Sequence, residues 1–125
     1  MRLPSRLHLK ESRDFARIKE KGRSQAGRFF VLALLRNEDL TDFQFGLITS
    51  KRLGKAVVRN RLRRQLREII RANRAEIAPG WQFVTIARWR AADAPFSELE
   101  QDWVRLARRQ GLLSKKSAPP LPPSP

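Results

Sequence analysis

Apolar residues recur along this chain first at helical and then at strand spacing. In HLKESRDFARIKEKGR, Phe15 and Ile18 stand three apart among charges and Gly22 follows as a stop, which predicts a short helix over about residues 11–20. RFFVLALLR then runs without a polar interruption between Arg28 and Arg36, the pattern of a strand buried on both faces. After the polar turn NEDLTD, the stretch FQFGLITS alternates as a second strand, in a position to pair with the first as a hairpin. From Val58 the period becomes helical again. Val58, Leu62, Leu66, Ile69, Ile70 and Ile77 fall within an arc of about 120° at roughly 100° per residue, a stripe that faces a core.

Pro79 and Gly80 are expected to end that helix. WQFVTIAR then reads as a third strand, with Trp81 and Phe83 on one face and Val84 and Ile86 on the other. Ser97 and Glu100 have capping-box spacing at the start of a last helix, whose apolar face is Phe96, Leu99, Trp103 and Leu106 and whose basic end is RLARRQ. The expected order is α-β-β-α-β-α in one domain over residues 1–113, with no internal repeat. The segment 114–125, SKKSAPPLPPSP, has little to bury and is expected to be a disordered, partly extended tail, either a solvated end or a ligand for a proline-binding module.

Composition narrows the chemistry. A chain of 125 residues suffices for one compact domain. It has no cysteine, which excludes a disulfide framework, a Cys-based zinc site and a thiol nucleophile. His8 is the only histidine and is expected at the surface near a flexible end. The start, MRLPSRLHLK, is too broken by charge and proline for a signal peptide, and no apolar run is long enough to cross a bilayer, so a cytoplasmic location without membrane contact is expected. Twenty-seven Lys and Arg against twelve Asp and Glu leave a formal charge of +15, which calls for an anionic partner. An acidic membrane surface would favour a lysine-rich amphipathic anchor, whereas the basic residues here are mostly arginine, so nucleic acid leads.

KAVVRNRLRRQLREIIR concentrates that charge, with six arginines interleaved among the core-facing residues. On the helical wheel Asn60, Arg63, Arg64, Arg67, Arg71 and Arg74 fill an arc of about 100° opposite the apolar stripe. Glu68 can pair with Arg64 or Arg71 but cannot neutralise the row. A guanidinium makes two hydrogen bonds to a phosphate and stacks on bases, which suits structured RNA. Asn60 is able either to read a base edge or ribose, or to serve as a helix cap or turn residue. A helix-turn-helix DNA regulator, with residues 56–75 as recognition helix, is disfavoured because the preceding segment reads as strand. A stand-alone nuclease needs clustered carboxylates or a positioned histidine, and here the acidic residues are scattered and His8 is alone. A non-catalytic RNA binder, such as a ribosomal protein or RNA chaperone, fits the composition.

SKRLGKAVVRNRLRRQLRE resembles the signature of the protein subunit of bacterial ribonuclease P: a basic pair (Lys51-Arg52), a glycine (Gly54), Ala56-Val57, Arg59-Asn60-Arg61, a second basic pair (Arg63-Arg64) and Arg67-Glu68. The resemblance takes in Asp14-Phe15, Lys21-Gly22-Arg23, FGLITS and FVTIAR, and so spans about residues 7–113. It implies an α/β sandwich with a central mixed sheet, like the second domain of ribosomal protein S5, including a left-handed βαβ crossover against the usual hand.

The implied activity is that of an endoribonuclease in which a catalytic RNA, with Mg²⁺ held mainly by that RNA, removes the 5′ leader of precursor tRNA. The protein contributes no catalytic residue and no metal site, and one monomer per RNA is expected. The surface implied to bind the RNA subunit comprises Lys51, Arg52, Lys55, Arg59, Asn60, Arg61, Arg63, Arg64, Arg67 and Arg71. A cleft between the first helix and the sheet, lined by Phe15, Lys19, Phe29, Val31 and Ala33, is implied to hold the leader. Phe15 reads equally as core. The sequence departs from the family pattern at Lys19, where a second cleft aromatic is frequent, at Ala33, where some relatives have tyrosine, and at Gln82, where aspartate is common. These departures imply weaker stacking of the leader and a phosphate contact from Lys19.

Overall fold

The structure, a computed structural model, describes residues 3–113, and the proline-rich segment 114–125 lies outside them. Its principal elements are α1 (Ser12–Lys21), β1 (Arg23–Ala26), β2 (Phe30–Arg36), β3 (Gln44–Ile48), α2 (Ala56–Ala72), β4 (Trp81–Ala87) and α3 (Phe96–Arg109). Short 3₁₀ turns occupy Ser5–Leu7, Lys51–Leu53, Arg74–Glu76 and Trp89–Asp93.

The strands form one mixed sheet in the order β1-β2-β4-β3. β2 pairs antiparallel with β1 and with β4, while β3 pairs parallel with β4, Phe45 opposite Phe83. The expected hairpin between the second and third of these strands is therefore corrected. β4 lies between them, because α2 carries the chain across a face of the sheet and returns it alongside β3 as a βαβ unit. The actual hairpin joins β1 to β2. β1 went unanticipated because all four of its residues are exposed, leaving no apolar alternation to read; its backbone pairing with β2 creates it.

Side chains alternate across the sheet and divide the apolar residues into two clusters. Phe30, Leu32, Leu34, Phe45 and Phe83 point toward α2 and α3, where Leu62, Leu66, Ile69, Ile70, Leu99, Trp103 and Leu106 complete the larger core. Ala33 and Val84 point the other way, under Ile18 of α1. Trp103 is fully buried and donates its indole N–H to Thr85 Oγ1 at 3.0 Å, which satisfies both groups.

Two expected helix boundaries move. α2 ends at Ala72 rather than at Pro79, because the Asn73 side chain donates to the Ile69 carbonyl at 2.8 Å and takes over an end-of-helix acceptor. Ile77 is buried beyond this end, in an isolated bridge with Leu113, and Arg74 leaves the α-helical face for a 3₁₀ turn. α3 starts at Phe96 with Pro95 as its cap and makes no side-chain capping bond, so the Ser97–Glu100 box does not form; Ser97 already lies within the first turn.

Asp102 of α3 supplies a contact that periodicity could not reveal. Buried to 1% exposure, its carboxylate accepts from three successive backbone N–H groups at the β1–β2 connection, those of Arg28 (3.0 Å), Phe29 (2.9 Å) and Phe30 (3.2 Å). Gly27 is required beside it, since a methyl there would come within 2.6 Å of Asp102 Oδ1. A carboxylate in a core is costly unless its oxygens are saturated by donors, and here the turn saturates them.

Candidate nucleic-acid interface

The start of α2 gathers cations where a helix ordinarily favours anions. Lys55 caps the helix without a side-chain bond, the first turn carries no acidic residue, and Lys51 and Arg52 are exposed on the preceding turn. The aligned peptide dipoles already make this end positive, so the added cations are unfavourable to the isolated helix and favourable to a phosphate placed there. Arg59 Nε donates to the Gly54 carbonyl at 3.3 Å and Arg61 Nη2 to the Ala92 carbonyl at 2.6 Å, each leaving further guanidinium donors. Asn60 between them is exposed and accepts from Arg63 Nη1 at 3.4 Å. It sits inside the helix, so the alternative of a helix cap is discarded.

Arg63, Arg64, Arg67 and Arg71 continue along the side of α2 away from the core. Arg71 pairs with Glu68, and this guanidinium holds the Glu68 carboxyl below the usual carboxylate range. Opposite the row runs the N-terminal segment. Leu7 and Leu9 are buried, Leu9 N–H donates to the Phe45 carbonyl at 2.8 Å, and His8 bridges to Phe45 in parallel, so the segment is fastened along the free edge of β3. Between this segment and α2 lies a groove of about 760 Å³ lined by Leu3, Ser5, His8, Lys10, Arg64, Arg67, Glu68 and Arg71.

His8 is half-buried rather than a loose surface residue, with its ring 4.5 Å from that of Phe45. Burial, then Arg67, then Lys10 push the imidazole pKa below its ordinary value. A smaller cavity of about 220 Å³, lined among others by His8, Phe15, Gly46, Arg63 and Arg67, connects the arginine row to α1.

The face of the sheet beneath α1 is only partly covered. A ten-residue helix is about 15 Å long and roughly 10 Å wide, whereas four strands span about 14 Å between the outer two, so one helix leaves part of the face open. Val31, Leu35, Ile48 and Ile86 are half-buried there. Phe15 lies over Gly46 of β3, where a Cβ would collide with its ring; the glycine permits that close approach. Below the helix Arg17 donates to Gln82 Oε1 at 3.1 Å, and Gln82 Nε2 donates to Gln44 Oε1 at 2.9 Å.

Of the residues implied to line a cleft, Phe15 and Ala33 share the cluster under α1, Val31 is half-buried on the same sheet face, and Lys19 is exposed on α1. Phe29 is not brought together with them. It precedes β2 and is buried in the larger core, its ring under the Arg28 guanidinium at 5.0 Å. Sequence reading missed the wall formed by residues 3–10, although the period-two alternation of Leu7 and Leu9 around His8 was a signal for it.

A family model for ribonuclease P matches residues 3–111. The chain belongs to this family. It is 35% identical over 117 residues to the ribonuclease P protein component of Geobacillus kaustophilus, covering 94% of this chain and 97% of that one. To the Bacillus cereus component it is 37% identical over 110 residues, covering 88% and 92%. Among solved structures, the Staphylococcus aureus RNase P protein superposes with a TM-score of 0.81 at 30% identity, covering 86% of this chain and 98% of that one. The Thermotoga maritima RNase P protein, solved in complex with 1-(4-fluorophenyl)-2-thiourea, does so at 0.73 and 30%, covering 81% and 97%. The mixed four-stranded sheet with three helices is thus the fold of this family. Among the described residues no helix is long and apolar enough to cross a membrane.

Proposed function

We propose that this chain is the protein component of a ribonuclease P ribonucleoprotein, one copy per catalytic RNA, that binds the RNA subunit and the 5′ leader of precursor tRNA and assists endonucleolytic removal of the leader. The observation that carries the reading is the row Arg63, Arg64, Arg67 and Arg71 facing His8 and Lys10 across open grooves, next to a half-covered sheet face. The row gives forked donors for phosphates of a structured RNA, and Lys51, Arg52, Lys55, Arg59, Asn60 and Arg61 extend it to the positive end of α2. The half-covered face, with Phe15 and Val31, offers an apolar floor for an unpaired strand, Ala33 lies buried beneath it under α1, and Lys19 is a cation at its edge.

In this reading the RNA carries the chemistry and holds most of the Mg²⁺ that the reaction uses. The described residues offer no cluster of three His, Cys, Asp or Glu side chains to hold such ions. What the protein supplies is charge and position. Substrate and catalytic RNA are both polyanions, so a +15 body between them lowers their repulsion and reduces the magnesium needed.

The test is reconstitution. RNA-free protein with magnesium and precursor tRNA should give no site-specific cleavage, and adding the cognate RNA should give 5′ processing at lower magnesium than the RNA requires alone. Site-specific cleavage by nuclease-treated protein without RNA would refute the assignment of chemistry. A protein that leaves the magnesium requirement of the RNA unchanged would refute the role.

A further inference from the structure

Near the start of α2, where Arg61 donates to the Ala92 carbonyl, the turn Trp89–Asp93 between β4 and α3 presents an indole that the core does not use. Trp89 is 67% exposed although it lies just beyond the end of β4, most of whose residues are buried. The Arg90 guanidinium lies 5.3 Å from its ring centroid, and the turn borders a cleft of about 300 Å³ lined by Arg28, Phe29, Trp89, Arg90, Asp93 and Glu98 with Ala94 and Pro95. Two cations and two carboxylates therefore meet around one exposed aromatic. Among the described residues they make no ion pair with one another.

From this juxtaposition we infer that the Trp89 cleft is a stacking site for one unpaired nucleotide of a bound RNA strand, selective for bases that carry an exocyclic amino group. The inference rests on the RNA-binding reading above and adds to it a site that shares no residue with the arginine groove. An exposed indole is a π-face on which any base can stack, and with the Arg90 guanidinium over one face of the ring the other face is left for the base. Arg28 and Arg90 supply donors for the flanking phosphates. When ionised, Asp93 and Glu98 only accept, so they match the amino groups of adenine, cytosine and guanine, whereas the one ring N–H of uracil is flanked by two carbonyl oxygens that repel a carboxylate.

Charge and continuity both favour RNA as the occupant over a protein surface. The four charges in the cleft balance, but the chain as a whole carries +15 and draws in polyanions. The turn is also tied to the cationic start of α2 by the bond from Arg61 to the Ala92 carbonyl, so a strand contacting that end of the helix lies next to Trp89. Asp102 holds the other wall, fixing the backbone of Arg28 and Phe29 from beneath.

The test measures binding of the full chain to short fluorescent single-stranded oligomers of adenosine, cytidine or uridine by anisotropy, with Trp89→Ala, Trp89→Leu and Trp89→Phe compared after their thermal unfolding is shown to match the parent. Trp89→Ala and Trp89→Leu should weaken the adenosine and cytidine oligomers by roughly 5- to 150-fold, the equivalent of one lost stacked base, without changing the salt slope. Trp89→Phe should retain most of the affinity, and the parent should bind uridine oligomers more weakly than the other two. Binding by Trp89→Leu equal to the parent would overturn the stacking site. So would oligomer binding that is untouched in Trp89→Ala while a self-association seen in sedimentation disappears, because that result assigns the indole to a protein contact. If the parent bound no RNA of any kind, the RNA-binding reading itself would fail; RNA binding that is indifferent to Trp89 would remove the inference alone.

Discussion

Replacing Asp102 by alanine should unhinge the β1–β2 connection from α3 and cost several kcal/mol of stability. The carboxylate accepts three backbone N–H groups at 2.9–3.2 Å. A hydrogen bond to a charged group contributes about 1.5–3 kcal/mol net. Arg28 is exposed, and its N–H can turn to water once the carboxylate is gone, whereas Phe29 and Phe30 are buried and their N–H groups lose their partner outright. Counting those two gives a loss of about 3–6 kcal/mol, a large share of the roughly 5–15 kcal/mol typical of a domain. Asp102→Asn keeps one acceptor but turns a donor toward the same N–H groups, so it should also destabilise, by a smaller amount.

Urea unfolding followed by circular dichroism gives the energies. Amide hydrogen exchange locates the damage, and protection at residues 28–30 should fall before protection in β4. A loss below about 1 kcal/mol for Asp102→Ala at unchanged m-value would refute the argument, since even a single charged bond of this type is worth more.

Three further outcomes follow from the interface. Replacing Arg64 and Arg67 together by alanine should leave stability unchanged, because both are exposed and off the buried stripe of α2, and should flatten the dependence of log RNA affinity on log salt by up to about one unit per lost phosphate contact; an unchanged slope assigns the phosphates to another face. His8 has a folded pKa below its unfolded value of about 6.5, so its contribution to stability is full above that pH and declines as pH falls below it, whereas a phosphate in the groove favours the imidazolium. RNA affinity should therefore rise between pH 8 and pH 5.5 with a slope of at most about one proton, and titrations of His8→Ala should show that component missing. Gly46→Ala should push the Phe15 ring off β3 at a cost of about 1–3 kcal/mol and weaken precursor tRNA binding more than mature tRNA binding; equal weakening of both would return Phe15 to the role of plain core.

Local pattern alone determined most of the elements and the chemistry of one face. The period of Leu62, Leu66, Ile69 and Ile70 places a helix with a buried stripe, and the same geometry dictates that Arg63, Arg64, Arg67 and Arg71 lie on its other side. The unbroken apolar run of β2 and the two faces of β4 were legible for the same reason: side-chain direction in a strand has period two, and burial selects for it.

The tertiary structure decided what depends on residues far apart in the chain. Strand order is one such property, since the runs at β2 and β3 are equally compatible with a hairpin, and only the return of β4 between them settles their neighbours. β1 exists through backbone bonds to β2, to which its polar side chains give no clue. The second wall of the arginine groove comes from residues 3–10 fastened to the edge of β3, and the turn that carries Phe29 into the larger core is held by a carboxylate more than seventy residues away. Periodicity records whether a side chain meets core or solvent. It does not record which distant backbone group that side chain meets, and at Asp102, His8 and Phe29 that was the deciding physical fact.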